Sequence, residues 1–89
     1  MKVRELHDKL GVCITTRYFS TWFDENADKE LGRVLPYACK TGLFFLYNDL
    51  GIADQWKENW PEGTYRDRRV IAWSRKHIVP PIMERLKHV

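Results

Sequence analysis

The sequence predicts a mostly α-helical domain with one small β-hairpin, in the order α-α-β-β-α, followed by a helical C-terminal extension. An all-α bundle is the alternative. Three observations lead to this expectation. Val3, Leu6 and Leu10 fall on one helical stripe and Gly11 follows them where a helix C-cap belongs. Gly32, Pro36 and the pair Thr41-Gly42 punctuate a segment rich in residues that suit strands. After Pro61-Glu62-Gly63, apolar residues return at helical spacing among arginines.

Taken in order, "VRELHDKLGV" reads as a two-turn helix ending in a tight turn. A second helix follows, with Thr15 or Thr16 as N-cap and an apolar face of Tyr18 or Phe19, Trp22 and Phe23, running to about Ala27. Two helices joined by a short glycine-containing turn form a helix-turn-helix, whose second helix offers its first residues to the major groove. "VLPYACK" and "LFFLY" then read as paired strands reversing at Thr41-Gly42, a wing beside that helix. Leu43, Leu46, Tyr47 and Leu50 also fit the i, i+3, i+4, i+7 pattern of a helix, which is what keeps the all-α bundle open. Asn48 or Asp49 caps a third helix with Leu50, Ala53, Trp56 and Trp60 on one side. "YRDRRVIAWSRKHIV" forms a basic helix with Val70, Ile71, Trp73 and Ile78 facing in, Pro80-Pro81 breaks it, and Ile82, Leu86 and Val89 line a last short helix. The expected division is a winged-helix domain over 1–61 and a basic extension packed on it over 62–89.

With 89 residues and 44% hydrophobic content, the chain has material for one modest core. A chain of this size buries roughly 60–65% of its unfolded surface, so its large aromatics are needed inside and a deep enzyme cleft is not expected. There is no apolar run of membrane-spanning length and no signal-peptide pattern at the start, which implies a cytoplasmic protein. Cys13 and Cys39 form no CxxC pair and read as small buried hydrophobes. The net charge of +3 is unevenly spread: residues 65–89 carry +5 and residues 1–64 carry −2. That basic tail points to an anionic partner such as nucleic acid.

Residues 3–56 resemble the small winged-helix family of phage excisionases and MerR-type DNA-binding domains. The matching pieces are "VRELHDKLGV", "TTRYFSTWF", "GRVLPYACKTG" and "LFFLYNDLGIADQW". "RELHDKLGV" followed by "YFSTWF" is also similar to the start of phage antirepressors. The resemblance implies a phage or mobile-element regulator in a bacterial host cell, acting in transcription regulation or DNA recombination by occupying and bending double-stranded DNA. It would place Thr15, Thr16, Arg17, Ser20 and Thr21 on the recognition helix and Lys40 with Thr41 on the wing. Arg17 is the expected base contact, since a guanidinium can bond a guanine edge bidentately.

Arg66, Arg68, Arg69, Arg75 and Lys76 form the densest basic cluster, and on a helix they can track phosphates. They can equally be a solvated face partly neutralised by Asp67. His7, His77 and His88 lack metal-ligand spacing, so no metal or cofactor is expected. Asp24 and Glu25 do not face one another, the serines lack a neighbouring base and no phosphate-cradling glycine loop exists, so the chain is not expected to be an enzyme or to take a small-molecule substrate. The twelve aromatic side chains suit base stacking on single strands, but at helical spacing they fit a core better. The function expected is therefore sequence-specific duplex DNA binding by a small phage or mobile-element regulator, with self-association on adjacent sites. The rival is a small phage-type protein-protein module that inhibits a host enzyme or defence complex, docking through the acidic stretch Asp24 to Glu30 and exposed aromatics.

Overall fold

The computed structural model describes residues 1–10, 19–64 and 66–88, and these are mostly helical. Helix α1 spans Val3–Leu10 and buries Val3 and Leu6, the stripe expected from the spacing. Its first N–H groups have no partner within the helix, and the connection after the next helix supplies them: Val3 donates to the Lys29 carbonyl at 3.0 Å and Arg4 to the Ala27 carbonyl at 3.2 Å. Lys2 and Glu30 form an isolated antiparallel bridge there, and the Met1 amine lies 3.1 Å from the Glu30 carboxylate. Helix α2 covers Ser20–Asn26. The expected turn at Gly11 and the helix start at Thr15 or Thr16 lie outside the described residues.

From residue 31 onward the structure corrects the hairpin. Leu31–Val34 is a short helix, α3, which tightens into a 3-10 turn over Leu35–Tyr37. Pro36 sits in the first positions of that turn, where a missing N–H costs nothing, so it does not argue for a strand. Lys40–Asp49 is a continuous helix, α4, and Thr41-Gly42 lies in its first turn instead of reversing the chain. Cys39 starts it: the backbone there is extended and Sγ accepts the Gly42 N–H at 3.4 Å. Leu43, Leu46 and Tyr47 are buried, so the helical periodicity of this segment outweighed its strand-like composition.

Gly42 has a packing role that mimicked a turn signal. A Cβ built on it would fall inside the Phe19 ring, which is buried against the first turn of α4. The conformationally special glycine is Gly51, at φ +73°, where α4 ends. Gly51 donates to the Asn48 carbonyl and Ile52 to the Tyr47 carbonyl, both at 3.0 Å, the two bonds of a Schellman cap.

That cap removes the third helix expected over residues 50–60. Ala53–Gln55 is a single 3-10 turn, and the chain from Trp56 to Thr64 crosses the surface without helix or strand. Trp56 and Trp60 thus share no helical stripe. They pin an extended strap.

Helix α5 spans Arg68–His77 and α6 spans Val79–Leu86, with Pro80-Pro81 accommodated in the first turn of α6. The break falls at Ile78, whose carbonyl accepts the buried Tyr47 hydroxyl at 2.6 Å. Ile78, Val79, Ile82 and Leu86 enter the same core as Val3, Leu6, Phe19, Leu31, Leu35 and the buried face of α4. Two basic side chains cap helix ends across this core: Arg85 Nε donates to the Leu50 carbonyl at 3.0 Å and Lys9 Nζ to the Leu86 carbonyl at 3.3 Å. Among the described residues no helix is long and apolar enough to cross a membrane.

Candidate nucleic-acid interface

Helix α5 begins at Arg68 because Asp67 caps it, its carboxylate accepting the Arg69 N–H at 2.8 Å. Val70, Ser74 and, just beyond the last turn, Ile78 are buried, which fixes the rotation of the helix against the core. Arg68, Arg69, Ala72, Arg75 and Lys76 are consequently all exposed. At helical pitch these five lie within an arc of roughly 120°, and Arg68 and Lys76 stand roughly 12 Å apart along the axis. The helix itself carries no Asp or Glu. Asp67, at the start of the helix, lies 3.7 Å from Arg69 Nε. Ala72 stands in the middle, and its small side chain lets a partner's backbone approach the helix between the four cations.

The same charges also serve the helix. Arg75 and Lys76 in the last turn complement its negative end. That contribution is local and needs none of the charge at Arg68 or Arg69.

One edge of this arc borders a row of aromatic rings. On α5, Trp73 follows Arg69 by one turn, and its ring centroid lies 5.2 Å from that of His77. Trp60, from the strap, lies 5.1 Å from Trp73 and 5.8 Å from Trp56, and Trp56 lies 5.2 Å from Phe44 of α4. The three indoles and His77 are half-buried, while Phe44 is 39% exposed. Neighbouring planes in the row are tilted by 35° to 75°, so no ring is sandwiched between parallel partners. Lys40 Nζ sits 5.7 Å above the Trp60 ring, a cation-π contact that adds positive charge to the row.

The expected site residues are therefore scattered differently from a winged helix. Thr15, Thr16 and Arg17 lie outside the described residues. Ser20 and Thr21 are exposed at the start of α2. Lys40 and Thr41 are exposed in the first turn of α4, not at a β-turn; that helical turn, and no wing, packs against Phe19 at the start of α2. Arg66 is exposed just before α5, next to the basic arc in sequence. Arg68, Arg69, Arg75 and Lys76 are gathered on one face of α5, and Thr21 and Arg66 line one cleft beside α2.

The acidic stretch of the rival function is partly consumed by the fold. Asp28 pairs with Arg4 and Glu30 with the Met1 amine, while Asp24 and Glu25 remain exposed on α2. Among the described residues no three His, Cys, Asp or Glu side chains stand close enough to hold a metal ion. A cleft of about 530 Å³ beside α2 is lined by Phe19, Trp22, Tyr37 and Cys39, with Glu25 and Arg66 among its polar groups. The Cys39 thiol is already engaged as a helix cap.

Sequence reasoning found the arc and missed the row. Trp56, Trp60 and Trp73 are visible as aromatics, but their adjacency depends on a strap that the sequence presents as a helix. No protein-family model, curated protein or solved structure matches the chain.

Proposed function

We propose that the protein binds double-stranded DNA through its phosphate backbone and catalyses no reaction, with α5 as the contacting element. The supporting observation is the cationic arc: Arg68, Arg69, Arg75 and Lys76 surround Ala72 on a helix that carries no acid. Cations held in two pairs on one face of a rigid helix can each displace condensed counterions from a duplex, and the small residue between the pairs permits close approach. Phosphate contacts of this kind position a protein without reading sequence. A role in transcription regulation or recombination would require base contacts from residues beyond the arc, Arg17 being the strongest candidate by chemistry.

The test is fluorescence anisotropy with a mixed-sequence duplex at several salt concentrations. Four phosphate contacts give a log-log salt slope of about −3.6, and each contact removed lowers it by about 0.9. The triple substitution Arg68→Ala, Arg75→Ala, Lys76→Ala is expected to bring the slope near −1 with the fold unchanged. Absence of binding at low salt would overturn the assignment and favour the protein-protein module. A triple variant that retains the full slope would move the contact surface away from α5.

A further inference from the structure

The aromatic row starts at Trp73, on the edge of the cationic arc, and leads through Trp60 and Trp56 to Phe44, and arc and row together have the layout of a surface for unpaired nucleotides. Single-stranded nucleic acid presents a flexible anionic backbone and flat apolar bases, and proteins that bind it without sequence preference combine a basic track with aromatic faces. Here Arg69 and Lys76 flank Trp73 on α5, while Lys40 stands over Trp60. Phe44, at the far end of the row, is one of two large apolar side chains that remain substantially exposed among the described residues. A purely structural strap would need Trp56 and Trp60 as anchors. It would need neither a lysine above the ring nor an exposed phenyl continuing the row.

We infer that this row takes the bases of single-stranded DNA, with Phe44 and Trp73 as stacking faces and Lys40, over Trp60, as a cation between them, while the arc of α5 holds the adjoining phosphates. This rests on the DNA-binding assignment above and adds to it a preference for unpaired over paired bases. In a duplex the bases stack on one another and are closed to the row, so a blunt duplex engages the arc alone. A single strand engages both.

The experiment compares three ligands of equal length on the intact protein: oligothymidylate, an abasic oligomer with the same phosphates, and a blunt duplex. Stacking is worth roughly 5- to 150-fold in affinity per base. Oligothymidylate is expected to bind at least fivefold tighter than the abasic strand and to quench the tryptophan emission, which the abasic strand leaves unchanged. Phe44→Ala, at an exposed position outside the arc, is expected to reduce oligothymidylate affinity at least fivefold and to leave abasic and duplex binding as they were. Equal affinity for the thymidylate and abasic strands would overturn the stacking surface while leaving the phosphate contacts of α5 standing. Failure of all three ligands to bind at low salt would remove the DNA assignment itself.

Discussion

Substituting Gly42 by Ala tests the contact that replaces the expected hairpin. The added methyl would overlap the Cε1 and Cδ1 atoms of Phe19, a ring that is 1% exposed and held by Trp22 at 5.0 Å and Phe23 at 5.8 Å. Such a ring cannot swing away as the tip of a surface side chain would, so the overpacking cost belongs near the upper end of its usual range, about 3 kcal/mol. Ala gains about 1 kcal/mol over Gly inside a helix. The net expectation is a loss of about 2 kcal/mol, or a fall in Tm of roughly 8–16 °C for a domain of this size. Urea denaturation followed by far-UV circular dichroism measures it. The decisive comparison is with Phe19→Val, which clears the ring at a cost of about 2–4 kcal/mol. In that background Gly42→Ala should stabilise by about 1 kcal/mol, a coupling of about 3 kcal/mol between the two sites. If the two substitutions are additive within about 0.5 kcal/mol, the ring does not rest on Gly42 and the packing argument is refuted.

Further expectations concern the interior. Burial pushes the Tyr47 hydroxyl up from 10.0 to about 12, so the folded chain keeps a proton that the unfolded chain has released. Stability is therefore full below pH 10 and declines as pH rises toward 12, by about 3 kcal/mol at most. Tyr47→Phe should abolish that decline in alkaline urea titrations while costing about 1 kcal/mol at neutral pH, because the Ile78 carbonyl loses the bond it accepts. Ser74 is fully buried and its hydroxyl has no hydrogen-bond partner among the described residues. Ser74→Ala removes that unsatisfied group and improves helix propensity, and should raise stability by about 1 kcal/mol in the same assay.

Individual residues account for what could be read in advance. The outward turn of the cations on α5 is legible from Val70 and Ile78, both buried, whereas Ile71 and Trp73, which the sequence also places inward, are half-buried, and the buried Ser74 carries no apolar signal. The segment from Gly32 to Leu50 was misread because its glycine and proline each have two structural uses. Pro36 is as content at the start of a 3-10 turn as before a strand. Gly42 serves a ring from another helix, and no local pattern records a neighbour more than twenty residues away. The strap was misread for a related reason: Trp56 and Trp60 keep helical spacing, yet the Gly51 cap had already ended the helix.

By itself the sequence determined that the chain is mostly helical, where its positive charge concentrates and which way the basic helix turns its cations, because periodicity and composition are local quantities. Tertiary structure alone decided that residues 40–49 are helix instead of hairpin, and that Phe44, Trp56, Trp60 and Trp73 join in one row that reaches the arc at Trp73. Both depend on contacts between segments far apart in the chain. Their energy is set by what packs against a residue, and the residue's own preference does not contain it.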